Sequence, residues 1–129
     1  MSLSSEIHIR VRCAESEPRG FLHHAKYLVY FEEGRTELAR LRGISYRDME
    51  DRGYLMVLIR AQVRYHRPAL VDDMLLLRTT VARTTRFKLE HHYELFRDGV
   101  LLADGETTLA CIDREGKVQP LPEFLQTEV

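Results

Sequence analysis

Residues 6–13 alternate singly between apolar and polar, with Ile7, Ile9 and Val11 set against His8, Arg10 and Arg12. A period of two predicts a strand with one buried face. Pro18 and Gly20 then punctuate a turn. From about His23 to Arg42 the period lengthens. Tyr27, Phe31, Gly34, Leu38 and Leu41 recur at spacings of four, three, four and three, which is one face of an α-helix. Gly34 within that apolar stripe costs about 1 kcal/mol of helix propensity against Ala. Its presence predicts another backbone packed closely there, as in a sheet wrapped around the helix. Gly43 supplies a stop, and Ser45 to Asp51 reads as a short second helix capped by Ser45.

From Tyr54 the period returns to two. Leu55, Val57, Ile59, Ala61, Val63 and Tyr65 predict a long strand with one buried face. Residues 67–73 read as a connection, in which Asp72 and Asp73 are structural turn formers. Residues 74–83 form the next strand, with Leu75, Leu77, Thr79 and Val81 on one face. After Thr84-Thr85, residues 86–97 set Phe87, Leu89, His91, Tyr93 and Leu95 against polar neighbours. Asp98-Gly99 is a strong type I′ hairpin signal, and residues 100–112 form a fifth strand. The order is strand, long helix, then four strands on short connections. That is one α+β domain over 1–129, an antiparallel five-stranded sheet with one helix to cover a face.

Composition changes this picture little. The 129 residues are 44% hydrophobic and 30% charged, which suits a folded domain with a core. A formal net charge of -1 gives no electrostatic case for nucleic acid or an anionic membrane. The amino terminus has no basic region followed by an apolar run, and no stretch reaches the ~20 apolar residues of a membrane span. Cys13 and Cys111 lie far apart without metal-type spacing and read as buried free thiols in strands, suited to a reducing cytoplasm.

Candidate chemistry gathers in the turn from Glu15 to Tyr27. It places carboxylates beside the N–H groups of a helix start. By itself Glu17 is either a reacting carboxylate or a solvated turn charge, and Glu15 reads as solvated, with a supporting role in the turn as the alternative. Glu17, His23, His24, His66, His91 and His92 are potential metal ligands. Adjacent histidines point different ways, and no His-x-x-x-His pair is present, so no metal site is expected.

The turn Glu15-Ser16-Glu17-Pro18-Arg19-Gly20, the segment His24-Ala25-Lys26-Tyr27, the stretch Arg35-Thr36-Glu37 and the run from Tyr65 to Asp73 follow one another in a particular order. In that order the chain resembles the hotdog-fold acyl-CoA thioesterases, the 4-hydroxybenzoyl-CoA thioesterase and Tol–Pal-associated group, over roughly residues 6–122. The resemblance implies a sheet curled around the long helix. It implies a homodimer joined sheet edge to sheet edge, with active sites at the interface, and a further pairing into homotetramers. It implies hydrolysis of an acyl- or aroyl-CoA to the acid and coenzyme A, in the cytoplasm, with no cofactor beyond the coenzyme A of the substrate.

Residue by residue, Glu17 stands where the group usually has its catalytic Asp, with about 1.5 Å more reach. His24 matches a His whose backbone N–H polarises the thioester oxygen. Gly20 and Tyr27 fall beside the substrate. Arg83 and Arg86 flank the connection whose basic residues grip the phosphates of coenzyme A; read alone, they are a solvated hairpin end. The Glu in place of Asp keeps a rival open: a non-hydrolytic binder of acyl-CoA or acyl-carrier-protein thioesters. A hotdog dehydratase or hydratase would need a His with a differently placed acid, and no such spacing is present.

Overall fold

The computed structural model describes residues 3–126. Strand β1 (Ser4–Arg10) leads through a 3-10 turn (Cys13–Glu15) to helix α1 (Lys26–Leu41) and the short α2 (Tyr46–Asp51). Strands β2 (Leu55–Tyr65), β3 (Met74–Thr84), β4 (Lys88–Arg97) and β5 (Val100–Ile112) follow, then β6 (Val118–Gln119) and a single helical turn, α3 (Glu123–Gln126). All the pairings are antiparallel, in the order β1-β3-β4-β5-β2, with β6 beside β5. This is the expected α+β hotdog arrangement, with a sixth, two-residue strand added to the expected five.

Alternation puts Leu75, Leu77, Thr79 and Val81 of β3, and Leu89, His91, Tyr93 and Leu95 of β4, on the buried face. Phe87 lies outside β4 and is exposed. Onto this face α1 presents Tyr27, Tyr30, Phe31, Gly34 and Leu38, all buried, while Leu41 is exposed beyond the last contact. The Phe31 ring stacks on Tyr93 at 4.2 Å between centroids. Gly34 is required by close approach: a Cβ there would meet the buried Thr79 hydroxyl and come within 2.7 Å of Leu77 Cδ2. The neighbours are side chains of β3 rather than backbone.

The helix starts three residues later than the periodicity predicts, because residues 23–25 form a turn. Ser45 caps α2 by accepting from the Asp48 N–H at 3.2 Å. Asp98 and Gly99 both have positive φ, as a type I′ hairpin needs. Asp73 accepts from the Leu70 N–H at 2.8 Å and from Arg97 at 2.6 Å, which bears out a structural role.

Two expectations are overturned. Cys111 is a buried free thiol in β5, but Cys13 is exposed in the 3-10 turn, because β1 ends before it. Strand β2 does not bury one face along its length. Residues 58–62 are exposed, with Leu58 at 46% and Ile59 at 51%, because β2 is an edge strand and α1 lies mainly over β1 and β3.

Candidate active site

The turn between β1 and α1 is a miniature hairpin. Ser16 bridges Leu22, and the Glu17 N–H donates to Phe21 C=O at 2.8 Å. Pro18-Arg19-Gly20 is the loop, closed by the Gly20 N–H on Glu17 C=O at 2.9 Å. Gly20 holds φ +88°, a conformation that disfavours any side chain, as a three-residue hairpin loop requires at its last position. The hairpin is tied to the β2–β3 connection by the Leu22 N–H on Ala69 C=O and the Val71 N–H on Gly20 C=O. Chain entry to α1 is thereby fixed against the end of β2.

Glu17 projects from the first arm of this hairpin. Its side chain is 23% exposed, and Arg19 holds both carboxylate oxygens at 2.8–3.2 Å, with the Arg19 N–H adding a bond at 3.1 Å. The Arg19 hydrogen bonds, side chain first, keep the Glu17 carboxyl below the usual range. It is ionised at neutral pH, as a nucleophile or general base must be.

Glu15 is not a solvated charge. It is buried at the base of the turn and accepts from the Arg12 backbone and guanidinium and from the Tyr30 hydroxyl at 2.9 Å. Burial alone would raise its pKa, but those hydrogen bonds together carry it lower. Its carbonyl also accepts the His23 N–H at 3.0 Å, so Glu15 fixes the turn from inside.

His24 stands just before α1. Its C=O accepts the Tyr65 hydroxyl at 2.9 Å, and its N–H has no acceptor among the described residues. A donor left open at a helix start suits an oxygen on which negative charge develops. The His23 imidazole is occupied instead with the Ala25 N–H at 3.2 Å. Tyr27 is buried; its oxygen accepts the Ala69 N–H at 3.3 Å, its ring meets Tyr65 edge-on, and burial raises its phenol.

Glu17, His24 and Tyr27 line one cleft of about 540 Å³, closed on the far side by residues 65–68 at the end of β2. Tyr65 and Arg19 were not among the expected site residues. The signal for Tyr65 was its place at the head of the Tyr65-to-Asp73 run, and for Arg19 its position two residues from Glu17. Arg83 and Arg86 are not brought to this cleft. They are exposed at the opposite end of β3, about 30 Å along the strand, and Arg86 lies over the Phe87 ring. Among the described residues no cluster of three or more His, Cys, Asp or Glu could hold a metal ion, and no helix is long and apolar enough to cross a membrane.

A family profile described as the thioesterase-like superfamily matches residues 11–129. A relative from Aquifex aeolicus, named as a candidate esterase, is 32% identical over 114 residues, 88% of each chain. One from Bacillus subtilis, named as a candidate acyl-CoA thioesterase, is 31% identical over 112 residues, 86% of this chain and 81% of its own. The crystal structure of a DHNA-CoA thioesterase from Staphylococcus aureus superposes with a TM-score of 0.85 at 28% identity, covering 92% of this chain and 79% of that one.

Proposed function

The chain belongs to the thioesterase-like superfamily, and from that premise we propose that it is an acyl-CoA thioesterase. It converts an acyl- or aroyl-CoA and water into the free acid and coenzyme A. The observation that carries the reading is the pairing of an ionised Glu17 with the open His24 N–H on one cleft. A Glu17 oxygen attacks the thioester carbonyl carbon, and the charge displaced onto the carbonyl oxygen is held by the His24 N–H at the head of α1. The C–S bond breaks and the thiolate leaves. Water then cleaves the acyl–Glu17 anhydride, restoring the carboxylate. In the shorter route Glu17 takes a proton from the water that attacks directly. Either route consumes one water and yields one acid and one thiol. Neither needs a metal or a redox cofactor, and coenzyme A enters as part of the substrate. Gly20 is not among the residues lining the cleft and acts through the hairpin turn that carries Glu17, while Tyr27 walls the cleft itself.

The assembly is a homodimer through the exposed edge of β2, with a homotetramer as its further pairing. A two-fold axis at Arg60, the middle of the exposed run, pairs β2 antiparallel with its copy and sets Tyr65 opposite Leu55 of the second copy. Lys88 at the start of β4 is in line with the Leu55 end of β2, through Ala110 and Val57. The second copy's β3–β4 turn therefore comes to the Glu17 end, with the start of β4 about 15 Å away across three strand spacings and Arg83, on β3, about 19 Å away across four. There they grip the phosphates of the coenzyme A arm. The exposed thiol of Cys13 and the free Cys111 fit a reducing cytoplasm.

One observation favours a second reading. Both Glu17 oxygens are engaged by Arg19, and a site that kept that clamp would bind a thioester without cleaving it. Purified protein supplied with aliphatic and aromatic acyl-CoAs is expected to release free thiol from at least one of them. Glu17→Gln should lower kcat by about a hundredfold or more, with Glu17→Asp intermediate, since a carboxylate displaced by about 1 Å loses on the order of a hundredfold. Unchanged thiol release by Glu17→Gln would remove Glu17 from the mechanism. Tight binding without release by the wild type would select the non-hydrolytic reading.

A further inference from the structure

A second cavity, of about 500 Å³, opens between α1, α2 and the first half of β2. One wall is apolar, made by Leu55, Met56 and Leu58 of β2 and Leu109 of β5, and the other is polar, with Glu32 and Thr36 of α1 and Glu50 of α2. Into this setting α1 turns Arg35, only 9% exposed and the one cation among the lining residues. The nearest carboxylate oxygen is on Glu32 at 3.7 Å, beyond hydrogen-bonding distance, and the Glu32 side chain is itself 68% exposed. The guanidinium approaches the Tyr93 hydroxyl, which is already engaged with Thr107 at 2.5 Å. A guanidinium has five N–H donors, and here the Tyr93 hydroxyl and the long contact with Glu32 leave most of them open toward the cavity.

Two phenols, Tyr46 and Tyr54, line the same cavity and have no hydrogen-bond partner among the described residues. Burial pushes the Tyr46 phenol up to about 12, so it stays a donor at neutral pH. Behind the cavity the buried His91 is pushed down to about 3, by burial first and then by the positive charges of Arg35 and Arg42. It is neutral, and supplies Arg35 with no counter-charge.

A buried cation without a hydrogen-bonded counter-ion is costly, and packing alone would be met by an apolar side chain of the same size. What the arrangement suits is an anion that arrives with the ligand. A carboxylate matches a guanidinium in charge and in its two-pronged geometry. Glu32 and Glu50 at the rim oppose an anion, but both are exposed and screened by solvent, whereas Arg35 acts from a low-dielectric site.

We propose that this cavity receives the far end of the acyl group and that Arg35 binds a carboxylate there, so that the preferred substrates are coenzyme A thioesters of dicarboxylic acids. The inference rests on the thioesterase reading and on the two-fold pairing of β2, which sets the cavity of one copy, at Leu55–Leu58, against the Glu17 cleft of the other, at Tyr65–Pro68. The acyl tail thus runs from the Glu17 of one copy to the Arg35 of the next. Arg35 is a specificity residue and takes no part in the bond changes.

The test compares glutaryl- and adipoyl-CoA with pentanoyl- and hexanoyl-CoA, which match them in chain length and end in methyl. Wild type is expected to favour the carboxylate-ended member of each pair by tenfold or more in kcat/KM. Arg35→Met should bring that ratio to about one, and Arg35→Lys should recover part of it, with thermal melts confirming that both variants fold. A second arm measures calorimetric binding of the same four thioesters to Glu17→Gln protein with and without Arg35→Met. Arg35-dependent binding of adipoyl-CoA, with no thiol released from any of the four thioesters by the wild type, would sink the hydrolytic reading and leave the site standing. Turnover with a ratio near one in the wild type, or a ratio that Arg35→Met leaves unchanged, would overturn the site and leave the thioesterase standing. Neither turnover nor binding would overturn both.

Discussion

Glu17 differs from an ordinary turn carboxylate in being held on both oxygens by a neighbour two residues away. The sign of that contact gives a test. Arg19 holds the Glu17 pKa down, so Glu17 remains ionised, and therefore active, to lower pH than an unassisted carboxylate would. In Arg19→Gln the acidic limb of the kcat/KM profile should move to higher pH, while the basic side stays in place. An acidic limb that does not move would mean that some other group titrates there. The Glu17–Arg19 pair is solvent-facing, so salt should shift the wild-type limb in the same direction. At this scale the turn that carries Glu17 and Gly20, and the helix start beside His24, were legible, because turn chemistry and helix starts are local in sequence. The buried role of Glu15 was not. Its partner Tyr30 lies fifteen residues on, and only the packing of α1 against the turn brings the two together.

At the scale of elements, the strongest constraint is the contact between α1 and β3. Exposed in a helix, Gly34→Ala would stabilise by about 1 kcal/mol. Here the added methyl meets the fully buried Thr79 and Leu77, and overpacking of this kind typically costs roughly 1–3 kcal/mol. Gly34→Ala is therefore expected to destabilise, read as a lower denaturant midpoint with an unchanged m-value. A stabilised variant would show that β3 gives way more easily than its burial suggests. Periodicity found α1 and β3 because both are covered, so that sequence pattern and burial coincide. It misread β2 for the opposite reason. Alternation reports which side chains share a face, but not whether a neighbour covers that face. Leu58 and Ile59 are apolar on a strand whose outer edge is bare in a single chain.

That bare edge is the feature of the whole molecule that a single chain leaves unexplained. An unpaired strand edge carrying apolar residues invites pairing, and natural proteins usually blunt such edges with charge, proline or cover. Arg60 and Gln62 interrupt the apolar run of β2 but do not cover it. Pairing with a second copy would satisfy the edge and bring Arg83 and Arg86 to a cleft they cannot reach within one chain. Sequence reasoning could name those arginines but not locate them, because a relation between copies would lie outside any one chain's pattern. Wild-type protein should sediment as a dimer or a larger even assembly. Ile59→Lys replaces an apolar contact beside the axis with a second pair of like charges, added to those of Arg60 and its copy, and should shift the protein to monomer. If the coenzyme A grip comes from the second copy, kcat/KM for any active acyl-CoA should fall with the dimer, by about tenfold or more, and recover as protein concentration rises. Because Ile59 is exposed in the single chain, its loss should leave the monomer's fold and melting cooperativity intact. A monomeric Ile59→Lys protein with undiminished turnover would show that each chain holds a complete site, and that Arg83 and Arg86 serve only the hairpin end on which they lie.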